Sequence, residues 1–96
     1  MSNDTYPATV IYPDGASMAI SLPLATDRRL SAIQEIVGGC IEGIPLSSGR
    51  YMFLSENGNA SAVNHIATEM ARDSESIMAD DYIAGVAVIV PMELSD

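Results

Sequence analysis

Ninety-six residues carry thirteen acids against four bases, a formal net charge of −9, and 48% of them are apolar. A chain this acidic is repelled by nucleic acid and by anionic membrane surfaces, and a chain this apolar folds rather than staying disordered. One domain of this length buries roughly 60–65% of its unfolded surface; with no Trp and one Phe, Ile, Val, Leu, Met and Ala must fill the core.

All four bases are arginines, Arg28, Arg29, Arg50 and Arg72. The single Cys40 cannot form an internal disulfide, which fits a reducing compartment. The opening MSNDTYPATV lacks a basic region followed by an apolar run, so no signal peptide is read there. The longest apolar run, 83–90, is too short to span a bilayer. The expectation is a cytoplasmic protein of one domain over 1–96, with 1–7 and 92–96 flexible.

Residues 8–12 are rich in Thr, Val, Ile and Tyr, as strands are. Pro13-Asp14-Gly15 is a turn, because proline presets φ and glycine supplies positive φ. Met18, Ile20 and Leu22 then alternate with Ala19 and Ser21, the period of a half-buried strand. The two strands form a hairpin.

The next stretch, LSAIQEIVGGCIEGIPL over 30–46, organises the chain. Leu30, Ile33 and Val37 recur at helical spacing, widened by Ile36, so a helix is expected over 27–37 with Thr26 or Asp27 as its cap. Gly38 and Gly39 stop it, since glycine reaches the left-handed conformation that ends helices. Gly43 and Pro45 disfavour further helix, so 40–46 runs extended, with Gly43 at a bulge or a close backbone approach.

A turn at 47–50 leads to a strand at 51–54, and Asn57-Gly58 is a strong turn signal. A second helix follows, capped by Asn59 or Ser61, with Val63, Ile66, Ala67 and Met70 on its buried face. The chain breaks at 73–76, and Ile77-Met78 anchor the connection to the core. The last strand, 82–90, is apolar on both faces and so is expected at the sheet centre; Pro91 ends it. The resulting order is β-β-α-β-β-α-β, an α+β domain of about five strands in a mixed or antiparallel sheet, with both helices on one face. So small a sheet leaves an edge exposed, and edges invite partners, a homodimer among them.

The run Ile33-Gln34-Glu35-Ile36-Val37-Gly38-Gly39-Cys40-Ile41-Glu42 resembles the central motif of the DUF3846 family, small proteins of unknown function from phage, plasmid and bacterial genomes. The resemblance continues through Tyr51-Met52, Glu56-Asn57-Gly58, Asn64 with Ala67-Thr68, and 83–89, about two thirds of the chain. Cys40 stands where the family usually has an aromatic, and Ala62-Val63 where a Leu-Pro pair is more usual. The resemblance implies a mobile-element setting and supplies no catalytic residue.

Candidate chemistry is sparse. Cys40 and His65 are the only thiol and imidazole, and no nucleophile-elbow pattern surrounds the cysteine, which reads as a small hydrophobe beside the helix. His65 reads as a partly exposed surface residue. One His and one Cys fall short of a closed zinc site, and Asp80-Asp81 with Glu75 lack calcium-loop spacing. No enzyme, cofactor or metal is expected.

The remaining signal is the acidic stretch Glu69, Asp73, Glu75, Asp80 and Asp81, set against Arg72. It reads either as a solvated face or as a patch that docks on a basic protein surface in place of nucleic acid. The leading expectation is therefore a non-enzymatic binding protein that inhibits host defence machinery, such as a CRISPR or restriction complex. The alternative is a sponge for a nucleotide-type signal, built from Arg28, Arg29, Gly38, Gly39, Arg50 and Tyr51, since arginine forks suit phosphates.

Overall fold

A computed structural model describes residues 5–47, 49–56, 62–78 and 80–91. The expected caps Asn59 and Ser61, the Asn57-Gly58 turn and the tail 92–96 lie outside them. The elements are β1 (Thr5–Ile11), β2 (Ser17–Pro23), α1 (Thr26–Val37), β3 (Ile41–Leu46), β4 (Arg50–Ser55), α2 (His65–Asp73) and β5 (Ala87–Pro91). This is the expected order, and the sheet is antiparallel throughout, in the order β2-β1-β5-β4-β3.

β5 is central, as its sequence implied. Ala87, Val88, Ile89 and Val90 are all buried, and the strand pairs with β1 on one side and β4 on the other. It is shorter than expected, because Gly85 takes a positive φ of 81° and turns the chain just before it. Ile83 and Ala84 are buried without belonging to the strand; Ala84 makes only an isolated bridge to Val63. Ile83 belongs to the same core cluster as Ala67 and Ala71 of α2. β1 in turn begins at Thr5, ahead of the expected position 8, and pairs Thr5 with Pro23 at the far end of β2.

The helices do not share a face. Ile33 of α1 packs with Val10, Leu22, Phe53, Val88 and Val90, whereas Ala67 and Ala71 of α2 pack with Met52, Leu54, Ala87 and Ile89. Val88 and Ile89, like Phe53 and Met52, are strand neighbours, and successive strand side chains point to opposite sides. A strand apolar on both faces needs cover on both, so two one-sided helices would have left Met52, Leu54, Ala87 and Ile89 in water.

α1 connects the two edge strands, β2 and β3, and therefore has to cross the whole sheet. Its twelve residues span about 18 Å, close to the roughly 19 Å of four inter-strand steps. Its end follows the double glycine: Gly38 has a φ of 88° and both Gly38 and Gly39 donate their N–H to the Gln34 carbonyl, at 2.8 and 3.0 Å. Its start differs from expectation. Ala25 occupies the cap position and makes no side-chain hydrogen bond, so Thr26 and Asp27 fall inside the first turn, where Asp27 meets the positive end of the helix dipole. Gly43 is a site of close approach, as expected: the Tyr51 ring occupies the space that a Cβ on Gly43 would need.

Candidate functional site

The acidic stretch is positioned by a polar staple at the start of α2. Asn64 is fully buried and is the residue that caps the helix, its side-chain oxygen accepting the Ala67 N–H at 3.1 Å. Its Nδ2 donates to the carbonyls of Ile11 and Gly85, each at 2.9 Å. One turn on, the Thr68 hydroxyl donates to the Asn64 carbonyl and accepts the Ile83 N–H, both at 2.8 Å. One end of β1, the helix start and the return segment before β5 are thus tied together. The fully buried residues of the helix are small, Ala67, Thr68 and Ala71, with Met70 partly buried against the same core as expected, while Ile66, also expected inside, is 41% exposed.

Glu69 and Asp73 lie on the exposed side of α2, four residues apart and so on one stripe of the helix. Glu75, Asp80 and Asp81 follow on the exit and are also exposed. The exit is held down by Ser74 and Ser76. The backbone N–H of Ser47 donates to the Ser74 hydroxyl at 2.8 Å, and the Ser76 hydroxyl bonds the Pro45 carbonyl. Glu75 between them takes a positive φ of 56°. Arg72 reaches across to the Asp81 carbonyl at 2.7 Å, which lays the return segment beside the last turn of α2. The end of α2, which carries Glu69 and Asp73, thus lies beside the segment that carries Asp80 and Asp81.

Two features of that region escaped the sequence reading. Met78, expected together with Ile77 to anchor the connection in the core, is 71% exposed, while Ile77 packs against the core as expected. Tyr82 is 49% exposed. Met78 lies between Glu75 and Asp80, and Tyr82 follows Asp81. The signal available was a large apolar side chain flanked by acids; a core anchor at 77–78 and a last strand from 82 were expected there instead. Among the described residues no group of three or more His, Cys, Asp or Glu side chains converges closely enough to hold a metal ion.

The alternative residue set is dispersed. Arg28 and Arg29 start α1 and Gly38-Gly39 end it, about 14 Å apart along the helix axis. Arg29 is buried, only 3% exposed, and its Nη1 donates to the Leu24 carbonyl at 2.6 Å; it supports the turn into the helix. Arg50 and Tyr51 are strand neighbours and so point to opposite faces. Tyr51 packs edge-on against Phe53 on the α1 side, with ring centroids 5.3 Å apart. Arg50 lines an open groove of about 450 Å³ on the other side, with Pro7, Thr9, Ala19, Ile89 and Pro91.

Cys40 is exposed rather than packed. It sits between Gly39 and β3, past the end of α1, where its carbonyl accepts the Glu56 N–H at 3.0 Å. His65, the first residue of α2, is exposed. The two sit beside different helices, Cys40 after the end of α1 and His65 at the start of α2.

No helix among the described residues is long and apolar enough to cross a membrane. No protein-family model, no curated protein and no solved structure matches this chain.

Proposed function

We propose that this chain is a small, non-enzymatic binding protein that docks the surface around Glu69, Asp73, Glu75, Asp80 and Asp81 onto a basic site of a macromolecular partner in the cytoplasm. The observation that carries this reading is the composition of that surface. Five exposed carboxylates and two exposed apolar side chains, Met78 and Tyr82, fall within residues 69–82, in a protein of net charge −9. Protein interfaces combine apolar anchors with a polar rim, and opposite charge speeds encounter and selects the partner. A basic groove that normally holds phosphates is a surface such a rim fits. The family resemblance in residues 33–42 adds a mobile-element setting, and with it the inhibition of a host defence complex as the biological role.

The sponge reading is less well supported, because its residues lie at opposite ends of α1 and on opposite faces of the sheet, and Arg29 is committed to the Leu24 carbonyl.

The test is affinity capture from bacterial lysate, run in parallel with the triple variant Asp73→Asn, Asp80→Asn, Asp81→Asn and with Met78→Ala. A partner through this surface is captured by the native chain, released progressively by salt, and weakened by both variants. Because neutral amides remove the charge while Met78→Ala keeps it, only the triple variant flattens the salt dependence. Capture that both variants leave unchanged overturns the assignment.

A further inference from the structure

The two edges of the sheet are guarded very differently. β3 carries Glu42, Gly43 and Pro45, devices that discourage a further strand from pairing. β2, SMAISLP, carries no charged residue, and its only proline is the last residue, Pro23. Its outer residues Ser17, Met18, Ala19 and Ser21 are exposed, with Met18 at 50%.

The hairpin fixes which backbone groups of β2 face outward. Tyr12 donates its N–H to the Ala16 carbonyl at 2.8 Å, so Tyr12 and Ala16 are a hydrogen-bonded pair. Antiparallel pairs alternate between bonded and non-bonded, and the register pairs Val10 with Met18, Ala8 with Ile20 and Tyr6 with Leu22. Residues 18, 20 and 22 therefore bond inward to β1. The N–H and C=O of Ser17, Ala19 and Ser21 point away from the sheet, and no strand among the described residues pairs with them.

We propose that β2 is a self-pairing edge, and that two copies of this chain join antiparallel along it with Ala19 on the two-fold axis. The register follows from the outward groups. Placing Ala19 opposite Ala19 puts Ser17 opposite Ser21 and Ser21 opposite Ser17, so every outward N–H and C=O of the three residues finds a partner. A shift of two residues one way brings Pro23, which has no N–H, opposite Ser17; a shift the other way brings Ser21 opposite Gly15 in the turn. The side chains agree with the same register. It sets Met18 opposite Ile20 of the second copy in the non-bonded pairs, where side chains approach closest, and so covers the exposed Met18. On the other face the pairs are Ser, Ala and Ser, small enough not to obstruct. A second copy fits this edge better than an unrelated strand, because an antiparallel two-fold makes a strand complementary to itself.

Two acidic copies repel one another, so this association strengthens with salt, the opposite of the docking proposed above. The two ideas therefore fail separately.

The experiment is sedimentation analysis of the full chain, under reducing conditions, across a concentration series and at two salt concentrations, with amide hydrogen exchange on the same samples. A dimer is expected whose dissociation constant falls as salt rises. In it the amides of Ser17, Ala19 and Ser21 exchange slowly alongside those of 18, 20 and 22; in the dilute monomer only the latter set is protected. Ala19→Glu, which places like charges opposite one another on the axis, is expected to raise the dissociation constant at least about tenfold. Met18→Lys, which leaves every backbone bond in place, is expected to act in the same direction while far-ultraviolet circular dichroism stays native. A chain that remains monomeric at high concentration and high salt overturns the proposal. So does a dimer that leaves Ser17, Ala19 and Ser21 unprotected or that ignores both variants.

Discussion

The two faces of the sheet are held by different physics. On one, α1 crosses the full width of the sheet with no side-chain cap and is fixed by apolar bulk, Ile33 seated among Val10, Leu22, Phe53, Val88 and Val90. On the other, α2 is shorter and buries only Ala67, Thr68 and Ala71, yet it is capped and tied by the Asn64 and Thr68 hydrogen bonds to two other parts of the chain, the end of β1 and the segment before β5. Apolar packing tolerates approximate partners; a buried polar group costs heavily unless its bonds are all made. The second face is therefore the more exacting one, and it is the face that carries the acidic surface.

That contrast is open to direct attack. The largest effect is expected at the apolar anchor. Ile33→Ala should destabilise the fold by about 4 kcal/mol, through lost transfer energy and the cavity left behind, measured as a shift of the urea midpoint at constant slope. The polar anchor should come close behind: Asn64→Ala is expected to cost about 3 kcal/mol, well above the ~1 kcal/mol of a lost cap alone, because the buried Nδ2 bonds to the Ile11 and Gly85 carbonyls are lost with the cap. A loss no larger than that of a simple cap would erase the distinction between the faces. Thr68→Val keeps the shape but strands the Ile83 N–H, for an expected ~1.5 kcal/mol; hydrogen exchange at Ile83 should rise more than at Ile33, locating the damage on the α2 side. The smallest change is Gly38→Ala. A Cβ there meets nothing, so only the positive φ opposes it, and a loss of about 1 kcal/mol is expected by thermal unfolding.

The same contrast explains what was legible in advance. Leu30, Ile33 and Val37 at helical spacing, stopped by Gly38-Gly39, announced α1 to within a residue, because an amphipathic stripe and a left-handed glycine are local signals. α2 was located less well. Its buried residues are small, so the spacing of Val63, Ile66, Ala67 and Met70 pointed to a face that the structure turns partly outward. Its true cap, Asn64, was visible as a residue but not as a cap, since its partners at Ile11 and Gly85 lie 53 and 21 residues away along the chain. The acidic residues were readable directly. That the segment of Asp80 and Asp81 lies beside the end of α2 was not, because it depends on Arg72 reaching the Asp81 carbonyl. Arg29, named in the alternative ligand set, is buried and donates to the Leu24 carbonyl, a partner five residues away that charge counting does not single out.

By itself, then, the sequence determined the element order, the helix stop at the double glycine, the central place of the all-apolar last strand and the excess of negative charge. Each of these follows from periodicity, glycine backbone freedom or simple counting, which act over a few residues or over the whole chain at once. Only the tertiary structure decided that the helices lie on opposite faces, that Asn64 and Thr68 hold the second one, that Met78 and Tyr82 stand out among the acids, and that β2 is the unguarded edge. These depend on which distant backbone groups meet, and hydrogen bonds between positions far apart in the chain leave no period in it.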